Sequence, residues 1–250
     1  MEMNEKNISI QFRVKRTQIE MMRDRGFNVD EEKHILNPEY KIDDFRDEYM
    51  EKTEELRQRQ ESIIDQKSKG DLLATSMSSM YTTEKRDKAI YVHYLDTEKN
   101  NKKSIPKQLE VLSNIMNIFI QSEFNIDTII IVSQEEIKKN DMDKYLTIIP
   151  SFYIQTFLFE DLIINRSRHK YVPKHELIND EEASRYLIKH NLKPEQLPQL
   201  CYDDQIVKYY GGKPGQMFKI YRKAPLVPTT IQKTIVRKMV SRYSVTTNSS

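Results

Sequence analysis

The chain has 250 residues, 38% of them hydrophobic and 31% charged, enough for one large or two modest domains with a buried core. No uninterrupted apolar run approaches the roughly 20 residues of a membrane span, and the opening Met1-Glu-Met-Asn-Glu has acids where a secretory signal needs a cationic start, so an intracellular place is expected. The net charge of +2 conceals an asymmetry: from Arg166 onward 16 Lys+Arg stand against 7 Asp+Glu, whereas residues 1–165 hold 24 against 31.

Ile8 to Arg25 predicts a helix with Phe12, Ile19 and Met22 among its apolar positions. Gly26 stops it, because glycine takes the left-handed cap conformation freely. Arg13, Lys15, Arg16, Arg23 and Arg25, with Glu20 and Asp24 interleaved, read as a solvated face rather than a phosphate-binding stripe. A second polar helical stretch follows Phe27-Asn-Val29. Phe45 to Lys69 is charge-dense, anchored only by Tyr49, Leu56, Ile63 and Ile64. It predicts either a long solvent-exposed helix or a partly disordered insertion. Ser76 to Thr83 reads as a loop.

Ala89 to Leu95 is a strand by its β-branched and aromatic content, and Asp96 to Lys103 a polar turn. Ser104 and Pro106 open a helix whose Leu109, Leu112, Met116 and Phe119 share one face. Thr128 to Val132 is a continuous apolar run, the mark of a strand buried on both sides. Ser133 and Glu136 have capping-box spacing for the next helix. Thr147 to Ile154 predicts a strand, bent or at an edge because of Pro150. Phe157 to Ile164 closes this half, and Asn165 to His169 reads as a hinge. The alternation of strands and helices argues for a small sheet with covering helices.

Beyond the hinge, Asn179 and Glu182 have capping-box spacing for a helix running to about His190. Lys193 to Pro198 is a short turn-like element, and Gly211 to Gly215 a tight connection between a short helix and a strand. Gln216 to Tyr221 and Thr234 to Val240 read as strands, and residues 241–250 as a frayed tail.

Catalytic and metal signatures are sparse. His169 and His175 lie too far apart for the usual zinc pairing, and Cys201 is the one cysteine. That excludes an internal disulfide, agrees with a reducing compartment, and reads as a buried structural thiol. Gly211-Gly-Lys-Pro-Gly215 lacks the Ser/Thr and the following helix of a phosphate loop. One enzyme reading stays open, a metal-dependent nuclease using Asp127, Glu136 and Lys138. Another class also stays open, a free nucleic-acid-binding protein using the basic C-terminal third.

Four blocks carry a resemblance: His169-Lys-Tyr-Val-Pro-Lys-His-Glu-Leu177, Gln196-Leu-Pro198, Asp204-Gln-Ile-Val-Lys-Tyr-Tyr-Gly211 and Gly215-Gln-Met-Phe-Lys-Ile220. In this order they resemble the C-terminal assembly domain of the fifth shared subunit of eukaryotic nuclear RNA polymerases, a domain that has an archaeal counterpart. Phe12 to Thr17, Met22 to Phe27, Ile129 to Val132 and Phe157 to Asn165 are similar to the family's opening helix, jaw strand and approach to the linker. Phe45 to about Thr83 has no counterpart and reads as a charged insertion.

The resemblance implies an α+β, two-domain protein. Residues 1–165 would be a jaw domain with a truncated nuclease-like mixed sheet and helices, lacking catalysis. Residues 166–250 would be a small α/β assembly domain docked on the largest polymerase subunit. Val172, Pro173, Lys174, His175, Gln196, Leu197, Pro198, Asp204, Tyr209, Tyr210, Gly211, Arg222 and Arg237 match family positions and are the expected partner interface. Lys138 and Lys139 are expected to touch the backbone of downstream double-stranded DNA without reading its sequence. No cofactor or resident metal is implied, and no membrane.

Departures from the family pattern are Asp204-Gln205 in place of Asp-Pro, Ala224-Pro-Leu-Val-Pro228 with a longer connection to Thr234, and Glu136-Ile-Lys-Lys139 in place of Thr-Pro-Ser. Such divergence would suit a divergent protist, with the protein in the nucleus, or a large DNA virus, with the protein in the host cytoplasm and the virion.

Overall fold

The computed structural model describes residues 5–60, 76–95, 105–120, 125–148, 152–224 and 227–237. The chain divides into two compact units, Met1–Ile164 and Asn165–Ser250, each a mixture of helix and sheet.

The first unit opens with α1 (Glu5–Asp24). The Phe27 N–H donates to the Met22 carbonyl and the Gly26 N–H to that of Arg23, with Gly26 at φ +86°. This is the left-handed helix stop that the sequence predicts. Phe12, Val14, Ile19, Met21 and Met22 are all buried.

Lys15 corrects the expectation of a solvated cationic face. Its side chain is fully buried, 2.8 Å from a carboxylate oxygen of Glu32, and it donates to the Met77 carbonyl and Ser79 Oγ, both at 2.9 Å. The Tyr81 hydroxyl donates to the other oxygen of Glu32. Arg16 donates to the Leu36 carbonyl at 3.2 Å and Arg25 to Gln155 Oε1 at 3.0 Å, while Arg13 and Arg23 stay exposed. Glu32 lies on a 3-10 segment, Asp30–Leu36. The acid that neutralises Lys15 is thus on another element, where helix periodicity cannot find it.

The next helix, α2 (Ile42–Gln60), is not exposed all round. Phe45, Tyr49 and Thr53, four residues apart on one face, are buried. The Phe45 ring lies 5.4 Å from Phe12 and 4.3 Å from Tyr49. Ile63 and Ile64 fall outside the described residues.

Four strands follow: β1 (Ser79–Thr82), β2 (Ala89–Tyr94), β3 (Ile126–Ser133) and β4 (Tyr153–Leu158). They form one sheet in the order β1-β2-β3-β4, with β1 antiparallel to β2 and the other pairs parallel. The expected loop at Ser76–Thr83 therefore holds a strand. Its polar composition disguised it: Ser79 turns inward on the same face as Tyr81, toward Lys15 and Glu32. Helix α3 (Ile105–Ile120) covers one face, with Leu109, Leu112 and Met116 packed beside Tyr91, Ile129 and Ile131. Phe119 meets Tyr91 edge-on at 5.2 Å. Helix α1 lies against the other face, where Tyr94 donates to Gln18 Oε1 at 3.3 Å. Covered on both faces, β2 and β3 read as continuous apolar runs. The expected turn at Asp96–Lys103 and cap at Ser104 lie outside the described residues.

Helix α4 (Lys139–Ile148) begins later than a Ser133–Glu136 capping box requires. Ser133 instead ends β3 and its hydroxyl donates to the Glu135 carbonyl at 2.7 Å. The Lys138 carbonyl accepts from the N–H groups of Asp141 and Met142 and so starts the helix. Thr147 and Ile148 close α4, which moves the expected strand forward to Tyr153. That strand is an edge, as Pro150 suggested, though Pro150 itself is outside the described residues. The short α5 (Phe159–Leu162) ends this unit.

The second unit contains a 3-10 turn (Arg166–Arg168), β5 (Lys174–Ile178), α6 (Asp180–His190), a second 3-10 turn (Pro194–Gln196), β6 (Gln199–Cys201), α7 (Gln205–Tyr209), β7 (Met217–Ala224) and β8 (Val227–Arg237). The sheet order is β5-β7-β8-β6, with β6 parallel to β8 and the other pairs antiparallel. Successive residues of β7 point to opposite faces. Met217 joins Ile178, Leu197 and Ile235 under Tyr186 and Leu187 of α6. Phe218 joins Val207 of α7 and Val236, with Tyr210 beside them. The expected long connection before Thr234 is mostly strand, since the hairpin pairs as far as Ala224 and Val227. The hairpin carries a register shift between Arg222 and Ala224. The Asn179 side chain accepts from the Glu182 N–H at 2.7 Å. Glu182 itself turns away to Lys219 at 2.6 Å, so only this half of the capping box is seen. Among the described residues no helix is long and apolar enough to cross a membrane.

Candidate partner interface

The short α7 organises most of the residues that the sequence singled out. Asp204 accepts from the N–H groups of Ile206 and Val207 at 2.8 and 3.3 Å, capping the helix start. At its end the Gly211 N–H donates to the Lys208 carbonyl and the Gly212 N–H to that of Val207, with Gly211 at φ +70°. The helix therefore ends within a turn, and Tyr209 and Tyr210 stand edge-to-face with ring centroids 5.2 Å apart. Tyr209 is buried, with Asn165 donating to its hydroxyl at 3.0 Å.

His175 on β5 belongs to the same face. Its ring meets Phe218 edge-on at 6.4 Å, and Tyr210 meets Phe218 at 6.3 Å. The Nδ1–H donates to the Pro173 carbonyl at 2.7 Å, because a carbonyl can only accept. Burial holds the imidazole below its ordinary pKa. The Pro173 carbonyl and Asp204 oppose that effect, and Arg222 adds to it. These couplings put Val172–His175, Asp204, Tyr209–Gly211 and Arg222 in one neighbourhood. Arg222 is exposed there, Val172, Pro173, Asp204 and Tyr210 are half-buried, and His175 and Tyr209 are buried beneath them, whereas the exposed Lys174 alternates to the other face of the sheet, over Tyr221.

Gln196, Leu197 and Pro198 lie elsewhere. Leu197 is in the core under α6, the Gln196 side chain accepts from the Lys193 N–H at 2.7 Å, and the Pro198 carbonyl accepts from the Ile235 N–H at 2.9 Å. They fasten β6 beside β8. Arg237 pairs with Cys201 across that ladder. Cys201 is half-buried, less hidden than expected. His169 accepts at Nδ1 from the Tyr171 N–H at 3.3 Å, a turn role.

Sequence reasoning missed a polar lattice on the face that α6 covers in part. Lys174 lies over the Tyr221 ring at 5.4 Å, and the Tyr221 hydroxyl donates to Glu176 at 2.6 Å. Lys233 sits 3.5 Å from the centroid of Tyr186. The signal was the alternation along β7 and β8, which becomes legible once the strands are paired.

In the first unit Lys138 and Lys139 are exposed where the chain enters α4. Asp127 is near the start of β3, and Glu136 lies beyond its end. Roughly 20 Å of strand separates them, which is too far for two carboxylates to share a metal. Among the described residues no three His, Cys, Asp or Glu side chains are grouped to hold a metal ion.

Two family profiles match the chain in order. The one described as RNA polymerase Rpb5, N-terminal domain, matches residues 5–112, a span that includes the charged stretch, and RNA polymerase Rpb5, C-terminal domain, matches residues 164–232. The chain is 32% identical over 211 residues to DNA-directed RNA polymerase V subunit 5C of Arabidopsis thaliana, covering 84% of this chain and 77% of that one. It is 29% identical over 212 residues to DNA-directed RNA polymerases IV and V subunit 5B of the same plant, covering 85% and 83%. With DNA-directed RNA polymerase V subunit 5A the identity is 27% over 217 residues, covering 87% and 83%.

Proposed function

The chain belongs to the Rpb5 family of DNA-directed RNA polymerase subunits, and on that premise we propose that it is a non-catalytic subunit acting in polymerase assembly and at the downstream-DNA jaw. The supporting observation is that both family profiles match, in chain order and one in each compact unit. Other polymerase subunits are its partners. Residues 1–165 act as the jaw and residues 166–250 as the assembly domain, which docks on the largest subunit. The exposed Arg222 meets that subunit, and the buried His175 and Tyr209 hold the surface in shape. Rigid, desolvated aromatic and arginine anchors are what such interfaces use. The buried members act through the backbone they fix.

The test is capture of the largest subunit by the full-length chain carrying Arg222→Glu. That side chain is exposed, so folding is retained. The expected result is at least a ten-fold loss of capture with an unchanged melting curve; full capture would remove this surface from the interface. For the jaw, Lys138→Glu with Lys139→Glu in the assembled polymerase lowers the slope of log K against log salt by about 2 if each lysine neutralises one phosphate. The separation of Asp127 from Glu136 disfavours the nuclease. Cleavage by the purified chain with magnesium or manganese, abolished by Asp127→Ala, would restore it. The protein then works wherever its polymerase works, the nucleus for a cellular enzyme or the host cytoplasm and virion for a viral one.

A further inference from the structure

The segment Asn165–Tyr171 is wound tightly and carries nothing acidic. Asn165 Oδ1 accepts from the Ser167 N–H and hydroxyl at 3.0 and 2.6 Å. The Arg168 N–H donates to the Asn165 carbonyl, that of His169 to the Arg166 carbonyl, and that of Val172 to the His169 carbonyl. Three successive turns therefore fix the backbone. They present Arg166, Arg168, His169 and Lys170 to solvent, together with the ring of Tyr171, which is 78% exposed. Lys170 Nζ lies 4.7 Å from the centroid of that ring, and the His169 ring is 5.5 Å away. His169 Nδ1 already accepts from the Tyr171 N–H, so in the neutral ring Nε2 carries the proton as a donor.

We propose that Arg166–Tyr171 is a binding surface for single-stranded nucleic acid, with Tyr171 stacking one base and Arg166 and Lys170 holding the flanking phosphates. An aromatic ring this exposed among cations, on a backbone already ordered, costs little entropy to use. A base stacks on it without sequence preference, and the cations track the sugar-phosphate chain. An acidic protein surface would use the charges but not the ring, and a base-paired duplex offers no face to stack. The residues involved are other than Lys138 and Lys139, and the surface adjoins the docking residues that begin at Val172. Its failure would leave the assembly role intact.

The test is fluorescence anisotropy of the full-length chain with a labelled 20-nucleotide deoxythymidine strand at low salt, compared with a duplex of equal length and with polyglutamate as competitor. The expected result is binding that weakens steeply with salt. Tyr171→Ala should weaken it about five-fold or more, and Arg166→Glu with Lys170→Glu should abolish it, all with wild-type melting curves. Tyr171→Phe, which keeps the stacking face, should restore it. Three results would overturn the proposal: no binding by the wild-type chain, binding indifferent to Tyr171, or equal displacement by polyglutamate.

Discussion

Replacing Glu32 by glutamine would strand the ammonium of Lys15. That side chain is fully buried and its charge faces the Glu32 carboxylate at 2.8 Å. Burial pulls Lys15 below its ordinary pKa even with Glu32 beside it. Burial raises Glu32, but Lys15, Tyr81 and Ser79 outweigh it and hold the carboxyl below its ordinary value. Removing one partner of such a pair costs about 3–5 kcal/mol. The lower end is expected, because Lys15 keeps the Met77 carbonyl and Ser79 Oγ as acceptors. At about 2–4 °C per kcal/mol for a unit of this size, the midpoint should fall by about 6–12 °C. The double variant Lys15→Met, Glu32→Gln removes both charges and should recover at least half of that loss, a coupling that a double-mutant cycle in urea measures.

The pH dependence follows from the signs of the two shifts. The Glu32 contribution is present above the ordinary carboxylate pKa and is lost as pH falls through its lower folded value. Lys15 is held below its ordinary value, so stability rises as pH climbs from its folded pKa toward 10.5. Glu32→Gln should flatten the acid limb. A Glu32→Gln midpoint within about 1 °C of wild type, or additive single variants, would refute the claim that this pair is buried and coupled.

Three further outcomes are expected. Gly212→Ala would put a Cβ 2.7 Å from the Phe218 ring and 2.9 Å from Val207, both fully buried, and should cost about 1–3 kcal/mol in urea unfolding. At Gly26 the surroundings are open, but φ is +86°; Gly26→Ala should cost about 1 kcal/mol, and Gly26→Asn less, because asparagine tolerates that conformation. Burial lowers His93 to about 4, so the unfolded chain binds its proton first and stability should drop by about 3 kcal/mol as pH falls from 6.5 toward 4; a urea midpoint equally pH-dependent in wild type and His93→Leu would contradict this.

The sequence shows an element clearly where one strand or helix carries the whole signal. The Ile129–Val132 run, the Leu109–Met116 face and the Gly26 stop are local patterns, and each lies where its periodicity puts it. What stayed hidden depends on partners far along the chain. Lys15 looked solvated because Glu32 is on another element. Ser79–Thr82 looked like a loop because only pairing with β2 reveals its register. Thr147 and Ile148 are β-branched yet finish a helix, where helical context overrode strand propensity. At the candidate interface the blocks were found as a family pattern, but their division was not. Leu197 and Asp204 are close in sequence, yet one packs under α6 and the other caps α7 on the opposite face.

Membership of a working polymerase can be tested directly. Its most direct test is mild affinity purification of the tagged full-length chain from its native source, with partners quantified by mass spectrometry. The two largest polymerase subunits are expected in amounts close to that of the chain itself. Recovery of the chain alone, or with nucleic acid and no polymerase subunit, would contradict it.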